Sequence, residues 1–220
     1  MKLIDWAEVD TILLDMDGTL LDLAFDNHFW KQAIPTIYAE DKGISLEQSQ
    51  QHLGQYYEAY SGTLEWYCTD FWSEKLGLDI IKHKTDMAHK IALRPGTEAF
   101  LTEAKASAKK VVLVTNAHPE TLRVKLETTA IDQYFDQLYT SHQFNQPKES
   151  PLFWSQLEAE LEASLSRCLF IDDTESILIQ AQQSGVKYSV MVKQPDLSLP
   201  EREATHMLSV NQLTELLPIK

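Results

Sequence analysis

At 220 residues, with 44% hydrophobic and 24% charged side chains, the chain has the composition of a globular protein able to bury a sizeable core. Its 33 acidic residues against 19 basic ones leave a formal charge of −14, which excludes a general attraction to nucleic acid or an anionic membrane. Its 2 cysteines make no disulfide framework, the opening MKLIDWAEVD carries acids where a secretory leader is cationic, and no stretch approaches the roughly 18 apolar residues of a membrane helix, so a soluble, cytoplasmic protein is expected.

In chain order, residues 11–14 form a short apolar run, partly β-branched, with the pattern of a strand buried on both faces. It stops at Asp15-Met16-Asp17-Gly18-Thr19. Alternate residues of a strand point the same way and Gly18 permits a sharp turn, so two carboxylates could face one site; an Asp-rich turn would read the same locally. From 21 to 92 the spacing is helical throughout, with helices expected near 26–40, 46–60, 63–76 and 83–90. Ser45-Leu46-Glu47-Gln48 is the capping start of the second. This region holds 11 of the chain's 21 aromatic residues, which suits the core of a small helical bundle with one or two rings left to meet a ligand.

After Arg94-Pro95-Gly96 the pattern alternates. Strands are expected at 110–114, 137–140, 168–171 and 188–192, and helices at 97–108, 119–128, 151–163 and 175–184. An edge strand at 207–210 and a closing helix at 211–217 complete the chain. Strands alternating with helices of this length give an α/β fold, a parallel sheet with helices on both faces. Residues 1–20 and 93–220 would form that unit, and 21–92 an all-helical insertion after its first strand.

Ligands of open α/β sheets bind at the carboxyl ends of the strands. There the sequence offers Asp15 and Asp17, then Thr115-Asn116, then Lys148 in a loop, then Asp172-Asp173. Each alone is ordinary: a turn, a strand end, a surface lysine, a helix N-cap. Together they place several like charges in one cleft, which is unfavourable without a cation, and an all-oxygen site of this kind suits Mg²⁺ with phosphate oxygens. Lys148 and Thr115 supply the donors that a phosphoryl dianion needs. A carboxylate nucleophile, a second carboxyl, a metal and a lysine amount to phosphoryl transfer through an aspartyl-phosphate.

With these residues in place, the chain resembles the haloacid dehalogenase-like (HAD) hydrolase superfamily. Asp15–Thr19 match its DxDGT motif, Thr115 its second motif, Lys148 its third and Asp172-Asp173 its acidic fourth. The resemblance spans the chain and implies a Rossmann-like core with an inserted C1-type cap. Leu13–Trp30, Leu64–Ile80, Thr115–Glu127 and Phe170–Leu178 are similar to the GMP/IMP nucleotidases of that superfamily.

That resemblance implies roles. Asp15 would attack the phosphorus of a purine 5′-nucleotide. Asp17 would protonate the leaving oxygen and later deprotonate the hydrolytic water. Thr115, Asn116 and Lys148 would hold the phosphoryl group. Mg²⁺, replaceable by Mn²⁺, would be bound by Asp15, the Asp17 carbonyl and Asp173, with Asp172 close by. A further acid found in many members is replaced by Ile177, leaving Glu175 as a substitute. Asn27 and His28 are the candidates for contact with the nucleobase, Trp30 is expected to pack within the first cap helix, and Arg123 to be solvated. The second Asp disfavours a dehalogenase or a P-type ATPase. A sugar-phosphate phosphatase and a β-phosphoglucomutase-like mutase share all four motifs, a phosphonatase would need a cap lysine, and a non-catalytic module would bind without turnover.

Overall fold

Strand β1 (Thr11–Leu14) is fully buried and runs through the middle of a six-stranded, wholly parallel sheet of order β3-β2-β1-β4-β5-β6. The structure is a computed structural model that describes residues 4–203 and 207–220. After β1 come α1 (Ala24–His28), a π turn over Phe29–Ala33, α2 (Ile34–Lys42), α3 (Leu46–Tyr60), α4 (Leu64–Tyr67), α5 (Thr69–Leu76) and α6 (Ile80–Asp86). The alternating part follows as α7 (Thr97–Ala106), β2 (Lys110–Thr115), α8 (Pro119–Thr129), β3 (Gln137–Thr140), α9 (Ser141–Phe144), α10 (Pro151–Leu161), β4 (Cys168–Asp172), α11 (Glu175–Gln183), β5 (Tyr188–Val192) and β6 (Ser209–Val210).

The period of two along β1 divides the core. Ile12 and Leu14 join one apolar cluster with Phe100 and Leu101 of α7 and Leu122 and Val124 of α8. Leu13 points the other way, into a second cluster with Phe153, Trp154 and Leu157 of α10 and Leu178 of α11. Both faces of the sheet are therefore covered, which is why its strands read as continuous apolar runs. A third cluster lies within the insertion: Phe29, Ile34, Leu53, Trp72, Leu76 and Ile80 are buried together, and the rings of Trp30, Tyr57, Tyr60, Trp66 and Phe71 pack around Trp72 at centroid distances of 5.2–6.1 Å.

The two connections to the insertion lie side by side. Leu21 and Leu93 form an antiparallel bridge, Asp22 N–H donates to the Ala92 carbonyl at 2.9 Å, and Arg94 N–H donates to that of Leu20 at 2.9 Å. The buried Arg94 guanidinium ties this junction to the main-chain carbonyls of Pro195, at 3.1 Å, and Asn211, at 2.9 Å.

Several expected boundaries move for local reasons. The helix expected at 63–76 breaks at Cys68, whose Sγ accepts the Phe71 N–H at 3.4 Å and starts a new helix. The expected closing helix is a single 3₁₀ turn, Leu213–Leu216, since burial of Leu213 and Leu216 needs only an i, i+3 spacing. Helix α9 was not anticipated; Thr140 and Gln143 form its capping box, a four-residue signal too short to show periodicity.

Candidate active site

Strand register brings the acidic residues together. Leu14 pairs with Ile171, so the next residue, Asp15, emerges beside Asp172, and the Asp15 N–H donates to the Ile171 carbonyl at 2.9 Å. Lys148 enters from the loop before α10 and is only 2% exposed. Its ammonium donates to Asp15 Oδ1 at 2.5 Å and to Asp172 Oδ2 at 2.7 Å, and reaches the Val114 carbonyl at 3.3 Å. The loop is pinned as well: the Lys148 N–H donates to Asn116 Oδ1 at 2.9 Å, and its carbonyl accepts from Trp154 Nε1 at 2.8 Å.

Charge decides what this cluster can bind. Burial opposes the charge of Lys148, but Asp15 and Asp172 more than offset it and raise its pKa, so the lysine stays protonated. Burial pushes Asp15 well above the ordinary carboxylate range despite Lys148, reinforced by Asp172, Asp173 and Asp17. Burial and then Asp172 push Asp173 up to about 7, although Arg202 sits beside it with Nη2 3.0 Å from Oδ2. Carboxylate oxygens of Asp15, Asp172 and Asp173 lie within 4.8 Å of one another. Asp172 is spoken for, since its second oxygen accepts the Thr174 N–H at 2.7 Å. The other oxygen of Asp15, and the carboxylate of Asp173, held by Arg202 and at 3.3 Å by the Thr174 hydroxyl, are hard donors where three carboxylates face two cations. They fit a hard divalent cation.

Gly18 sets the distance between the two motifs. Its φ is +88°, and a Cβ there would lie 2.8 Å from Asp173 Cγ and 2.8 Å from Pro195 Cβ. Only glycine permits both the turn and that approach.

The Asp17 side chain turns away from the acidic cluster. Its Oδ1 accepts from Lys125 Nζ of α8 at 2.5 Å; Lys125 also donates to Asp26 of α1 at 2.6 Å, and Lys84 of α6 donates to the other Asp26 oxygen at 2.9 Å. Lys125 is 1% exposed and Lys84 2%. Burial opposes the charge of Asp26, yet Lys125 and Lys84 hold its pKa below the usual range. Burial raises that of Asp17 in spite of Lys125, which favours a carboxyl able to hold a proton. This ion cluster joins the insertion to the sheet at the first motif, through Asp17, and to α8, through Lys125.

A cavity of about 360 Å³ extends from the acidic cluster between the sheet ends and the insertion, within the roughly 300–1,000 Å³ common to small-molecule sites. Its walls include Asp15, Asp17, Thr115, Asn116, Lys148, Asp172 and Asp173, so the four sequence clusters do meet. Thr115 Oγ1 accepts the Ala117 N–H at 3.0 Å, leaving its own proton to donate. The Asn116 side chain is committed to the loop: it accepts from Lys148 and donates to Glu149 Oε2 at 3.1 Å. The opposite wall carries Trp30, Tyr57, Trp66, Tyr67 and Trp72. More rings face the cavity than the one or two expected, and Trp30, expected to pack, does both.

Asn27 lines the cavity and donates to Asp196 Oδ2 at 2.7 Å, but His28 lies outside its walls, with Nδ1 3.0 Å from Gln32 Oε1 and Nε2 3.0 Å from Lys90 Nζ. Arg123 pairs with Glu120 and Glu127 on the surface, as expected. Ile177 lines the cavity, whereas Glu175 is exposed and does not. Sequence reading also passed over Lys125, Lys84, Asp26, Arg202 and the buried, unpartnered hydroxyls of Thr69 and Thr121, all of which border the cavity. Lys125 was discoverable: it lies three residues after Leu122, on the apolar face of α8.

Residues 9–185 match the family model described as haloacid dehalogenase-like hydrolase. The chain is 43% identical over 215 residues to the GMP/IMP nucleotidase YrfG of Escherichia coli (strain K12), covering 98% of this chain and 97% of that one. It is 23% identical to the N-acylneuraminate-9-phosphatase of Rattus norvegicus, over 84% of this chain and 83% of that one. Among solved structures, a HAD phosphatase from Thermococcus onnurineus superposes with a TM-score of 0.78 at 21% identity, over 94% of this chain and 96% of that one.

Proposed function

The chain belongs to the haloacid dehalogenase-like hydrolase family, and from that premise we propose that it is a Mg²⁺-dependent 5′-nucleotidase acting on purine nucleoside monophosphates such as GMP and IMP. One observation carries the reading: the buried Asp15–Lys148–Asp172–Asp173 cluster opens into a cavity walled by aromatic rings. The first half suits a phosphoryl group and the second a flat base. The 43% identity to a GMP/IMP nucleotidase supports the choice of base.

In this reading Asp15 attacks phosphorus, the bond to the 5′-oxygen breaks, and the Asp17 carboxyl gives that oxygen its proton. Asp17, then a carboxylate, takes a proton from the water that attacks the aspartyl-phosphate, which releases phosphate and restores Asp15. The raised pKa of Asp17 suits a group that must hold a proton in one half of the cycle and accept one in the other. Lys148 and the Thr115 hydroxyl stabilise the transferring oxygens, and Asn116 and Asp172 keep Lys148 in place. Asp15 and Asp173 would hold Mg²⁺, which when bound neutralises charge on the phosphoryl oxygens. The helical insertion, residues 21–92, acts as the cap and offers Trp30, Trp66 and Tyr67 to the base.

Phosphate release from a panel of phosphomonoesters tests this, run with Mg²⁺ and with a chelator. The expected result is faster turnover of GMP and IMP than of sugar phosphates, abolished by chelation. Equal or better turnover of sugar phosphates would remove the nucleotidase reading and keep the chemistry. Isomerisation of a sugar phosphate without phosphate release would indicate a mutase.

A further inference from the structure

We propose that Cys68, His118 and His142 form a second metal site, distinct from the acidic cluster and suited to a borderline-soft divalent ion of the zinc class, which ties the helical insertion to the sheet. Cys68 lies between α4 and α5, His118 in the loop between β2 and α8, and His142 in α9. The sulfur and one ring nitrogen from each histidine lie within 4.8 Å of one another. A tetrahedral zinc site needs donor separations of about 3.3–3.8 Å, given bonds near 2.0 Å to nitrogen and 2.3 Å to sulfur. Side-chain movements of about an ångström close that gap.

Two observations beyond proximity point to an ion. His142 Nε2 is buried without a hydrogen-bond partner; Nδ1 lies 3.5 Å from Ser141 Oγ, whose own proton goes to the Asn116 carbonyl at 3.2 Å, an arrangement that suits a proton on Nδ1 and a lone pair on Nε2. A buried polar atom left unpaired is costly and asks for a ligand. The second observation is the surroundings of the sulfur: Cys68 Sγ already accepts the Phe71 N–H at 3.4 Å, the contact that stabilises a metal thiolate.

A fourth donor is at hand. Asp70 Oδ2 lies 3.5 Å from His118 Nε2, and its side chain is exposed enough to move. Ligation by His118 Nε2 moves the ring proton to Nδ1 and gives up the 3.3 Å bond from the Glu120 N–H. Ligation by Cys68 releases the thiol proton to solvent. The donor set of two nitrogens, a thiolate and a carboxylate selects zinc-like ions, while the all-oxygen pair Asp15 and Asp173 selects Mg²⁺. Because Cys68 belongs to the helices that follow β1 and both histidines to the loops and helices that follow β2 and β3, an ion here holds the insertion to the sheet unit. Zinc at this position therefore restrains turnover.

The test titrates the full chain with Co²⁺ and then Zn²⁺ in excess Mg²⁺, for wild type, Cys68→Ser and His142→Ala. Wild type is expected to show a thiolate-to-cobalt charge-transfer band, quenched by one equivalent of Zn²⁺, and each variant, which loses a direct ligand, to bind Zn²⁺ more weakly by more than the roughly 10–100-fold that loss of a ligand's hydrogen-bond partner costs. The other cysteine, Cys168, is buried in the sheet core, so the band reports Cys68. Melting curves with Mg²⁺ alone establish that each variant is folded. No charge-transfer band in folded wild type, or unchanged Zn²⁺ affinity in both variants, overturns the site. Zinc inhibition of phosphate release that is equal in wild type and Cys68→Ser overturns the clamp, since it would arise at the acidic cluster. The binding measurements need no turnover, so the site stands or falls apart from the nucleotidase reading.

Discussion

Replacing Lys148 with Met keeps the length of the side chain and removes the one buried ammonium that bridges Asp15 and Asp172. At 2.5 and 2.7 Å, each contact corresponds to about 6–7 kcal/mol of Coulomb energy at an effective dielectric near 20. Most of that repays desolvation, so the net loss of stability on breaking the pair is about 3–5 kcal/mol. The sign with pH follows: protonation of Asp15 removes the unpaired charge, so the deficit narrows as pH falls. Mg²⁺ narrows it too, by supplying charge to the same carboxylates. For catalysis, loss of a preorganised donor to the phosphoryl oxygens costs about 10²–10³-fold in kcat. Phosphate release and melting temperature, each measured with and without Mg²⁺, check both halves. A folded Lys148→Met enzyme with kcat near wild type would refute the reasoning.

Other outcomes follow from the same geometry. Gly18→Ala places a methyl against Asp173 and forces a strained φ, so the Mg²⁺ concentration for half-maximal activity should rise about tenfold or more; an unchanged Mg²⁺ requirement would contradict the packing. Lys125→Met frees Asp17 from its partner and is expected to lower kcat about 10–100-fold while leaving KM for the nucleotide close to wild type, as steady-state kinetics would show. Trp66→Ala should raise KM for GMP by an amount worth about 1–3 kcal/mol of stacking and leave small aliphatic phosphoesters unaffected. With its pKa raised to about 7, Asp173 keeps a proton in the metal-free fold that the unfolded chain has lost above its ordinary pKa of 3.8. Its contribution to metal-free stability is therefore present at low pH and lost as pH rises towards 7, and Mg²⁺ competes with that proton. The rise in melting temperature on adding Mg²⁺ should grow between roughly pH 6 and pH 8.

The parts of this molecule legible in its sequence are those written in short-range patterns. Continuous apolar runs marked β1, β2 and β4, and their polar ends, Asp15, Thr115 and Asp172, meet because parallel register aligns the strand ends. Lys148 could be placed in that cleft because its loop, after β3 and before α10, lies at the same carboxyl edge of the parallel sheet. Lys125, Lys84 and Asp26 were opaque because they come from three separate helices, and their pairing depends on how the insertion docks on the sheet. His28 lies outside the cavity walls for a related reason: it neighbours Asn27 in sequence, but one helical residue turns the side chain by about 100°, towards Lys90. Asn116, expected to hold phosphate, also has a structural role that the sequence does not show: its Oδ1 accepts the Lys148 N–H and its Nδ2 donates to Glu149.

The most direct test of the central claim is phosphate release from GMP by wild type and Asp15→Asn at saturating Mg²⁺, with both proteins shown to be folded. Asn keeps the shape and loses the attacking carboxylate, so the rate should fall about 10⁴–10⁶-fold. A variant that retains wild-type turnover would show that Asp15 does not attack phosphorus, and the aspartyl-phosphate mechanism would fall with it.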